Sequence, residues 1–457
     1  MQTMEELDKK YIWHPFTQMK QWVAAEQTTI VRAKGNMLYD QDGNAYYDAV
    51  SSLWVNIHGH QRPEIDEAII AQLQQVAHST SLGLANVPAS RLAEMLIARA
   101  PRNLEKVFYS DDGATAVEIA LKMAFQYWQI KGKTQKQKFI TLANAYHGDT
   151  IGAVSVGGID LFHQVYQPLL FPAYHVPSPS CYHCGKQDTG GCSWQCLEAL
   201  EAVLKEHSGE IAAMIIEPLV QAAAGMLMSP QGYLKRVREL TRKYDVLLIA
   251  DEVAVGFGRT GKLFACENEE VEPDFMCLSK GITGGYMPLA ATLTSLAVYE
   301  AFLGDPGEGK TFYHGHSYTG NQLACAAGVA SLEIFDKEHV LEGLQEKIAA
   351  MKAALDPFKA LTHVGDVRQQ GMIAGIELMA DKQKKQPYEA ALAMGGEACR
   401  CARKYGLFIR PVGDVIVFMP PLCSSAAEIR DMLALLLRAV TEVTENGERN
   451  GADGGLF

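Results

Sequence analysis

Between about residues 90 and 330 the chain alternates short, unbroken apolar runs with segments whose apolar positions recur at helical spacing. The runs lie at 107–109, 139–142, 211–216, 246–250, 275–278 and 289–293, and the helical periods are clearest over 116–128 and 233–244. Runs without polar alternation suit strands covered on both faces, so the pattern predicts an α/β domain with a doubly wound, mostly parallel sheet. On either side the pattern changes. Residues 35–48 set Asp42-Gly43 between two short aromatic-bearing runs, which predicts a hairpin. Beyond 335 a long helical period (340–355) leads to strands around 371–378 and 415–419 and a last helix over 426–444, the elements of a smaller α+β domain. The expected organisation is an N-terminal arm and strand segment (1–60) belonging to the small domain, a large domain (61–335), the C-terminal small domain (336–445) and a loose Gly-rich tail (446–457).

Composition narrows the function. A chain of 457 residues with 48% hydrophobic content buries a large core and divides into domains. The net charge of −12 leaves no electrostatic footprint for nucleic acid, and a small-molecule ligand is expected instead. Glu5, Glu6 and Asp8 open the chain without a signal-type apolar segment, and no run approaches the roughly 18 apolar residues of a membrane span. Ten cysteines in so long a chain make no disulfide framework. A cytoplasmic location, in a reducing compartment, is the expectation.

Two of the apolar runs end in opposite charges, Asp251 after 246–250 and Lys280 after 275–279. In sheets of this kind ligands bind at the carboxyl ends of the strands. Pyridoxal phosphate needs such a pair, a lysine to form an imine and a carboxylate to keep the pyridine nitrogen protonated. Read structurally, the two are a buried ion pair, or two charges that reach solvent past the sheet. The stretch 107–118 is a strand, a tight turn and a helix start, where the N–H groups of Gly113, Ala114 and Thr115 face an anion unless the turn is simply a capped helix; Asp111 and Asp112 must then point away. Tyr146 follows the 139–142 strand and is placed to stack on a planar cofactor, with His147 and Asp149 a loop-holding pair. The loop 314–321, with Gly315 and Ser317, offers hydroxyls and N–H groups ahead of an Ala-rich helix. Arg410 ends an apolar run and fits a substrate carboxylate or a surface turn equally. Cys181, Cys184, Cys192 and Cys196 have the ligand type and nearly the spacing of a structural zinc knuckle, or are surface thiols of an insertion.

Taken in order, these motifs resemble the class-III (subgroup-III) aminotransferases of the fold-type-I pyridoxal-phosphate enzymes, through Asp251-Glu252-Val253, the stretch 256–261 and Ser279-Lys280-Gly281. The nearer resemblance is to the diaminopelargonate synthases of biotin biosynthesis, through 13–19, 51–54, 146–150, Gly284-Gly285, 314–317 and Arg410-Pro411. That resemblance implies a homodimer with shared active sites, Lys280 as the imine lysine, Asp251 on the pyridine nitrogen and Tyr146 on the ring. It implies that Gly113 and Ala114 hold the phosphate with Ser317 of the partner, and that Trp54, Gly315, Arg410 and Phe16 meet the substrate. The implied reaction aminates 8-amino-7-oxononanoate to 7,8-diaminononanoate, with S-adenosylmethionine or lysine as donor.

Departures from relatives are informative. Ornithine- and 4-aminobutyrate-type relatives carry glutamine where Ala254 stands and a switch glutamate in the loop that here reads Gln221-Ala222-Ala223-Ala224-Gly225, which sets those substrates aside. Phe16 replaces a tyrosine of many diaminopelargonate synthases, and Val255 a common threonine that nothing here explains. Two other readings stand beside this one: an ω-aminotransferase acting on a diamine or β-amino acid, and an inactive zinc-stabilised binding protein on the same fold.

Overall fold

The computed structural model describes residues 2–184 and 192–445, so the tail expected to be loose, 446–457, lies outside it. The described residues form two compact units: Pro63–Glu342, and the segments on either side of it taken together. In the flanking unit β1 (Ile30–Lys34), β2 (Met37–Asp40) and β3 (Ala45–Asp48) form an antiparallel meander. The β2–β3 turn closes on Asp40, whose carboxylate accepts from the N–H groups of Asp42 (3.0 Å) and Asn44 (2.8 Å) and from the Tyr46 hydroxyl (2.8 Å), while Gly43 takes φ 86°. An Asx-type turn with glycine at the left-handed position is what Asp-Gly chemistry favours.

The central unit is built on β4 (Leu104–Ser110), β5 (Lys138–Leu142), β6 (Ala173–Val176), β7 (Ile211–Ile216), the short pair β8 (Val220–Gln221) and β9 (Leu227–Met228), β10 (Leu247–Asp251), β11 (Phe275–Leu278) and β12 (Ala290–Ser295). Seven of them make one sheet in the order β4-β12-β11-β10-β7-β5-β6, and β8 pairs with β9 alone. Only β12 opposes its neighbours; the other pairings are parallel. Residues of β7, β10, β11 and β12 are all buried, as strands covered on both faces must be. The helix Gly113–Ile130 lays Ala116, Val117, Ala120 and Ala124 into a core with Ile215, Ile249 and Phe275, its alanines allowing close approach. Trp128 ends that face and donates its indole N–H to the Ala212 carbonyl at 2.8 Å. Burying each large side chain of this core stabilises by roughly 1.5–3 kcal/mol. The sequence of strand directions brings the chain ends after β4, β5, β7, β10 and β11 to one edge.

Back in the flanking unit, β13 (Val364–Gln370), β14 (Ile373–Leu378), β16 (Arg410–Val412) and β17 (Val415–Phe418) form an antiparallel sheet ordered β13-β14-β17-β16, while β15 (Leu407–Phe408) adds in parallel to β3. The last helix, Ala426–Thr444, starts at a capping box in which Ser425 and Glu428 exchange backbone hydrogen bonds (3.2 and 2.7 Å). Among the described residues no helix is long and apolar enough to cross a membrane.

Candidate active site

Asp251 is the last residue of β10 and is 5% exposed. A carboxylate so placed must be held by donors. His147 Nδ1 lies 2.7 Å from its Oδ2, and the Val253 N–H donates to its Oδ1 at 3.1 Å. His147, buried itself, finds no partner for Nε2 among the described residues. Lys280 begins a short 3₁₀ turn just past β11 with φ 40°, a left-handed backbone that costs on the order of 1–3 kcal/mol outside glycine. Ser279, whose hydroxyl donates to the Leu289 carbonyl (2.9 Å), and the positive-φ glycines Gly284 and Gly285 hold that turn. Desolvation pulls the Lys280 ammonium below the usual lysine pKa; the nearby carboxylates of Asp251 and Glu217 act in the opposite sense.

Tyr146, half-buried, lies in the loop after β5. Its hydroxyl donates to Asp149 Oδ2 at 2.7 Å, and its phenol pKa is raised, first by burial and then by that bond. Phe162 meets its ring edge-on, and His163 runs parallel to it at 6.5 Å. Glu217, at the end of β7, ties the loops together: Oε1 accepts from the Tyr146 N–H (3.1 Å) and Oε2 from the Ala222 N–H (2.9 Å). Burial raises its carboxyl to about 7. Glu252 does the same one loop along, accepting from Ala265 (2.6 Å) and Cys266 (2.8 Å), and is likewise pushed by burial to about 7. Sequence pattern did not mark either carboxylate as part of the site, because their partners are backbone N–H groups with no side-chain signature.

After β4, Asp112 caps the helix Gly113–Ile130 by accepting from the Thr115 N–H (2.9 Å). This corrects the expected trio of free donors. Thr115 is taken, and Gly113 and Ala114 are left with no acceptor for their N–H groups among the described residues. Asp111 turns toward His316 (3.5 Å) and Asp112 is spent on the cap, so the helix start remains a place for an anion. A Cβ on Gly113 would stand 2.5 Å from Val253 Cγ1, and Gly148, at φ 122°, packs directly on Ala114, so the loops after β4, β5 and β10 meet here. Gly315 and Ser317 lie exposed on the loop before the helix Gln322–Lys337, and the Ser317 carbonyl accepts from His78 (2.7 Å).

The remaining substrate candidates belong to the flanking unit. Trp54 is buried at the end of a tight segment in which Ser51, Ser52 and Trp54 all take positive φ (51°, 62° and 65°). Ser51 donates to the Met419 carbonyl (2.7 Å), and the buried Asp48 accepts from both the N–H (2.7 Å) and the hydroxyl (2.9 Å) of Ser52. Phe16 is 58% exposed with φ 51°. Arg410 lines a recess of about 300 Å³, its guanidinium without an ion pair or hydrogen bond among the described residues.

The model of the class-III aminotransferase family matches residues 19–440. The chain belongs to the class-III aminotransferases. Its fold is that of the fold-type-I pyridoxal-phosphate-dependent transferases. Adenosylmethionine-8-amino-7-oxononanoate aminotransferase of Anoxybacillus flavithermus is 54% identical over 96% of the chain and 97% of its own length. The crystal structure of adenosylmethionine-8-amino-7-oxononanoate aminotransferase from Methanocaldococcus jannaschii superposes with a TM-score of 0.92 at 47% identity, covering 96% of this chain and 98% of that one. An amine transaminase from an uncultivated Pseudomonas species, solved in the PLP-bound form, gives 0.90 at 34% identity over 95% and 98%.

One expectation for this aminotransferase is corrected. Cys181, Cys184, Cys192 and Cys196 are free thiols, and among the described residues no group of three or more His, Cys, Asp or Glu side chains is arranged to hold a metal ion. Cys184 Sγ is directed at the Cys181 carbonyl (3.2 Å), and Cys192 Sγ accepts the Trp194 N–H (3.4 Å). Burial, then the neighbouring thiols, pushes Cys181 up to about 11, and Cys196 rises for the same reasons. A structural zinc ion is not supported, and the inactive zinc-stabilised reading loses its motive.

Proposed function

We propose that the chain transfers an amino group from S-adenosylmethionine to 8-amino-7-oxononanoate, giving 7,8-diaminononanoate in biotin biosynthesis. The observation that carries the chemistry is Lys280 beside Asp251 at the ends of adjacent parallel strands; relatives of that name, 46–54% identical over nearly the whole chain, support the substrate. Solved amine and ω-transaminases align at 30–34% identity, which favours the nearer relatives over a general amine substrate.

The residues present fit pyridoxal phosphate: two unclaimed N–H groups at a helix start kept open by Gly113, a buried carboxylate, a lysine of depressed pKa and an aromatic ring on the loop after β5. When bound, that cofactor supplies an aldehyde that carries the amino group and a ring that takes up the electron pair left as a proton departs. Asp251, oriented by His147, would keep the ring nitrogen protonated. Tyr146 would cover the ring, its position fixed by its bond to Asp149 and by the Glu217 clasp on its backbone. Lys280 would be the residue that holds the aldehyde carbon, and its lowered pKa would suit it to hold or move a proton at the substrate carbon. Gly113 and Ala114 hold the phosphate with Ser317 of the partner subunit, and Gly315, Trp54, Phe16 and Arg410 receive the substrate. The reading takes the enzyme as a cytoplasmic homodimer; exposed apolar residues such as Leu82 (89%) and Tyr313 (84%) are suited to a partner face, and the ten free cysteines to a reducing compartment.

A half-reaction assay tests it. Adenosylmethionine should convert the bound cofactor to its amine form, seen as the loss of visible absorbance, and lysine should not. Replacing Lys280 with Ala should abolish turnover; ordinary turnover in that variant, or conversion by lysine alone, would overturn the corresponding part.

A further inference from the structure

Ser51, Ser52 and Trp54 place three left-handed backbones within four residues of the flanking unit, and Ser52 joins its φ of 62° to a ψ of −57°, close to the rare, strained form of γ-turn. Such conformations cost a residue with a Cβ free energy and persist only where the surroundings impose them. Asp48 imposes this one. It ends β3, where its N–H donates to the Asn36 carbonyl (2.8 Å), and its fully buried carboxylate takes both donors of Ser52, the N–H on Oδ1 (2.7 Å) and the hydroxyl on Oδ2 (2.9 Å). His60 Nε2 lies 3.2 Å from the same Oδ2, and the His60 backbone is fixed by paired hydrogen bonds with Gly35 (2.9 and 2.7 Å). Ala49 and Ser51 bracket Met419, Ala49 accepting from its N–H (3.0 Å) and Ser51 donating to its carbonyl (2.7 Å). The anchor is therefore rigid and the turn is the strained part. Burying a carboxylate to hold a strained turn is unfavourable twice over, which marks the shape of the turn as what the arrangement serves.

We infer that Asp48 is a positioning residue for the acceptor: by taking both donors of Ser52 it imposes the left-handed turn that sets the Trp54 ring against 8-amino-7-oxononanoate. The inference rests on the proposed function, in which Trp54 meets the substrate. Without the clamp, the backbone at Ser52 relaxes toward negative φ, and the indole two residues on turns with it. Glycine takes positive φ at no steric cost, so glycine at position 52 holds the same turn without the carboxylate.

The experiment measures the KM for 8-amino-7-oxononanoate and the visible absorbance of bound pyridoxal phosphate in wild type, D48A, S52A, D48A/S52G, W54F and D48A/W54F. D48A should raise the KM about tenfold, as for a misplaced substrate contact, and S52A about threefold, since it loses the hydroxyl bond alone. Cofactor absorbance should stay as in wild type, because Lys280 and Asp251 belong to the other unit. D48A/S52G should recover most of the loss, and D48A/W54F should be no worse than W54F, since two residues that act through one contact are not additive. A wild-type KM in S52A overturns the inference, and this variant decides the matter where D48A yields no soluble protein. A D48A/S52G enzyme as impaired as D48A overturns it too, as do losses in D48A and W54F that multiply, which a structural role for Asp48 would give. A wild-type KM in W54F removes Trp54 from the substrate site and the inference with it, whereas a wild-type enzyme that does not use the acid at all removes the substrate assignment itself.

Discussion

Glu252 shows what a single buried carboxyl does to this protein. It is fully buried, both oxygens accept backbone N–H groups, and still burial prevails and carries its pKa from the ordinary 4.5 to about 7. Its folded pKa lies above its unfolded one, so between these values the folded protein keeps a proton that the unfolded chain gives up. The contribution to stability is complete below about pH 4.5 and is lost as pH rises through 7, a swing on the order of 3 kcal/mol. The thermal midpoint should therefore fall between about pH 5 and 8, and less steeply in E252Q, which is the less stable of the two at the acid end because one N–H loses its acceptor, roughly 1–3 kcal/mol. Calorimetry across that range checks this, and identical slopes in both proteins would refute it. Glu217 has the same raised pKa but clasps the Tyr146 loop, so its loss should act on cofactor retention as well: E217Q should release pyridoxal phosphate more readily on dialysis than wild type. At this scale the sequence was a partial guide. Asp251, Lys280 and Tyr146 stand out because each interrupts or follows an apolar run; Glu217 and the cap at Asp112 do not, since a carboxylate bonded to backbone leaves no second residue to find.

Elements were more legible than residues, and for a physical reason. Strands buried on both faces, such as β7, β10 and β11, must be apolar throughout, and helices such as Ala426–Thr444 must repeat an apolar face, so both betray themselves. β13 (VGDVRQQ) and β6 (AYHV) escape notice because they lie at sheet edges, where polar residues are tolerated. The helix start at Gly113 carries a prediction of its own. Its Cα passes so near Val253 that G113A places a methyl group 2.5 Å from Val253 Cγ1, an overpacking that costs on the order of 1–3 kcal/mol and displaces the N–H groups offered to phosphate. G113A should lower the melting temperature and leave the enzyme partly colourless as purified, and G113A/V253A should restore both. Absence of rescue would mean that the cofactor is held by something other than the contact between these two loops.

On the scale of the whole molecule the exposed surface carries the argument. Leu82 (89% exposed), Val87 (82%), Trp13 (86%) and Tyr313 (84%) are large apolar side chains left in water, more than scattered surface hydrophobics require. A stable dimer buries at least about 1,000 Å² with such residues at its centre. If a second copy covers Leu82 and Val87, then sedimentation should give twice the chain mass, and L82D/V87D should sediment as a monomer. Since the proposed phosphate site takes Ser317 from the partner, that monomer should also bind pyridoxal phosphate more weakly by about tenfold or more, the loss of one or two charge-assisted hydrogen bonds. Adding excess cofactor should then shift L82D/V87D back toward the dimer, because a ligand shared by two chains favours the assembly that completes its site. A monomeric variant that retains wild-type cofactor affinity and turnover would show that each chain builds its site alone and would remove Ser317 from the phosphate site.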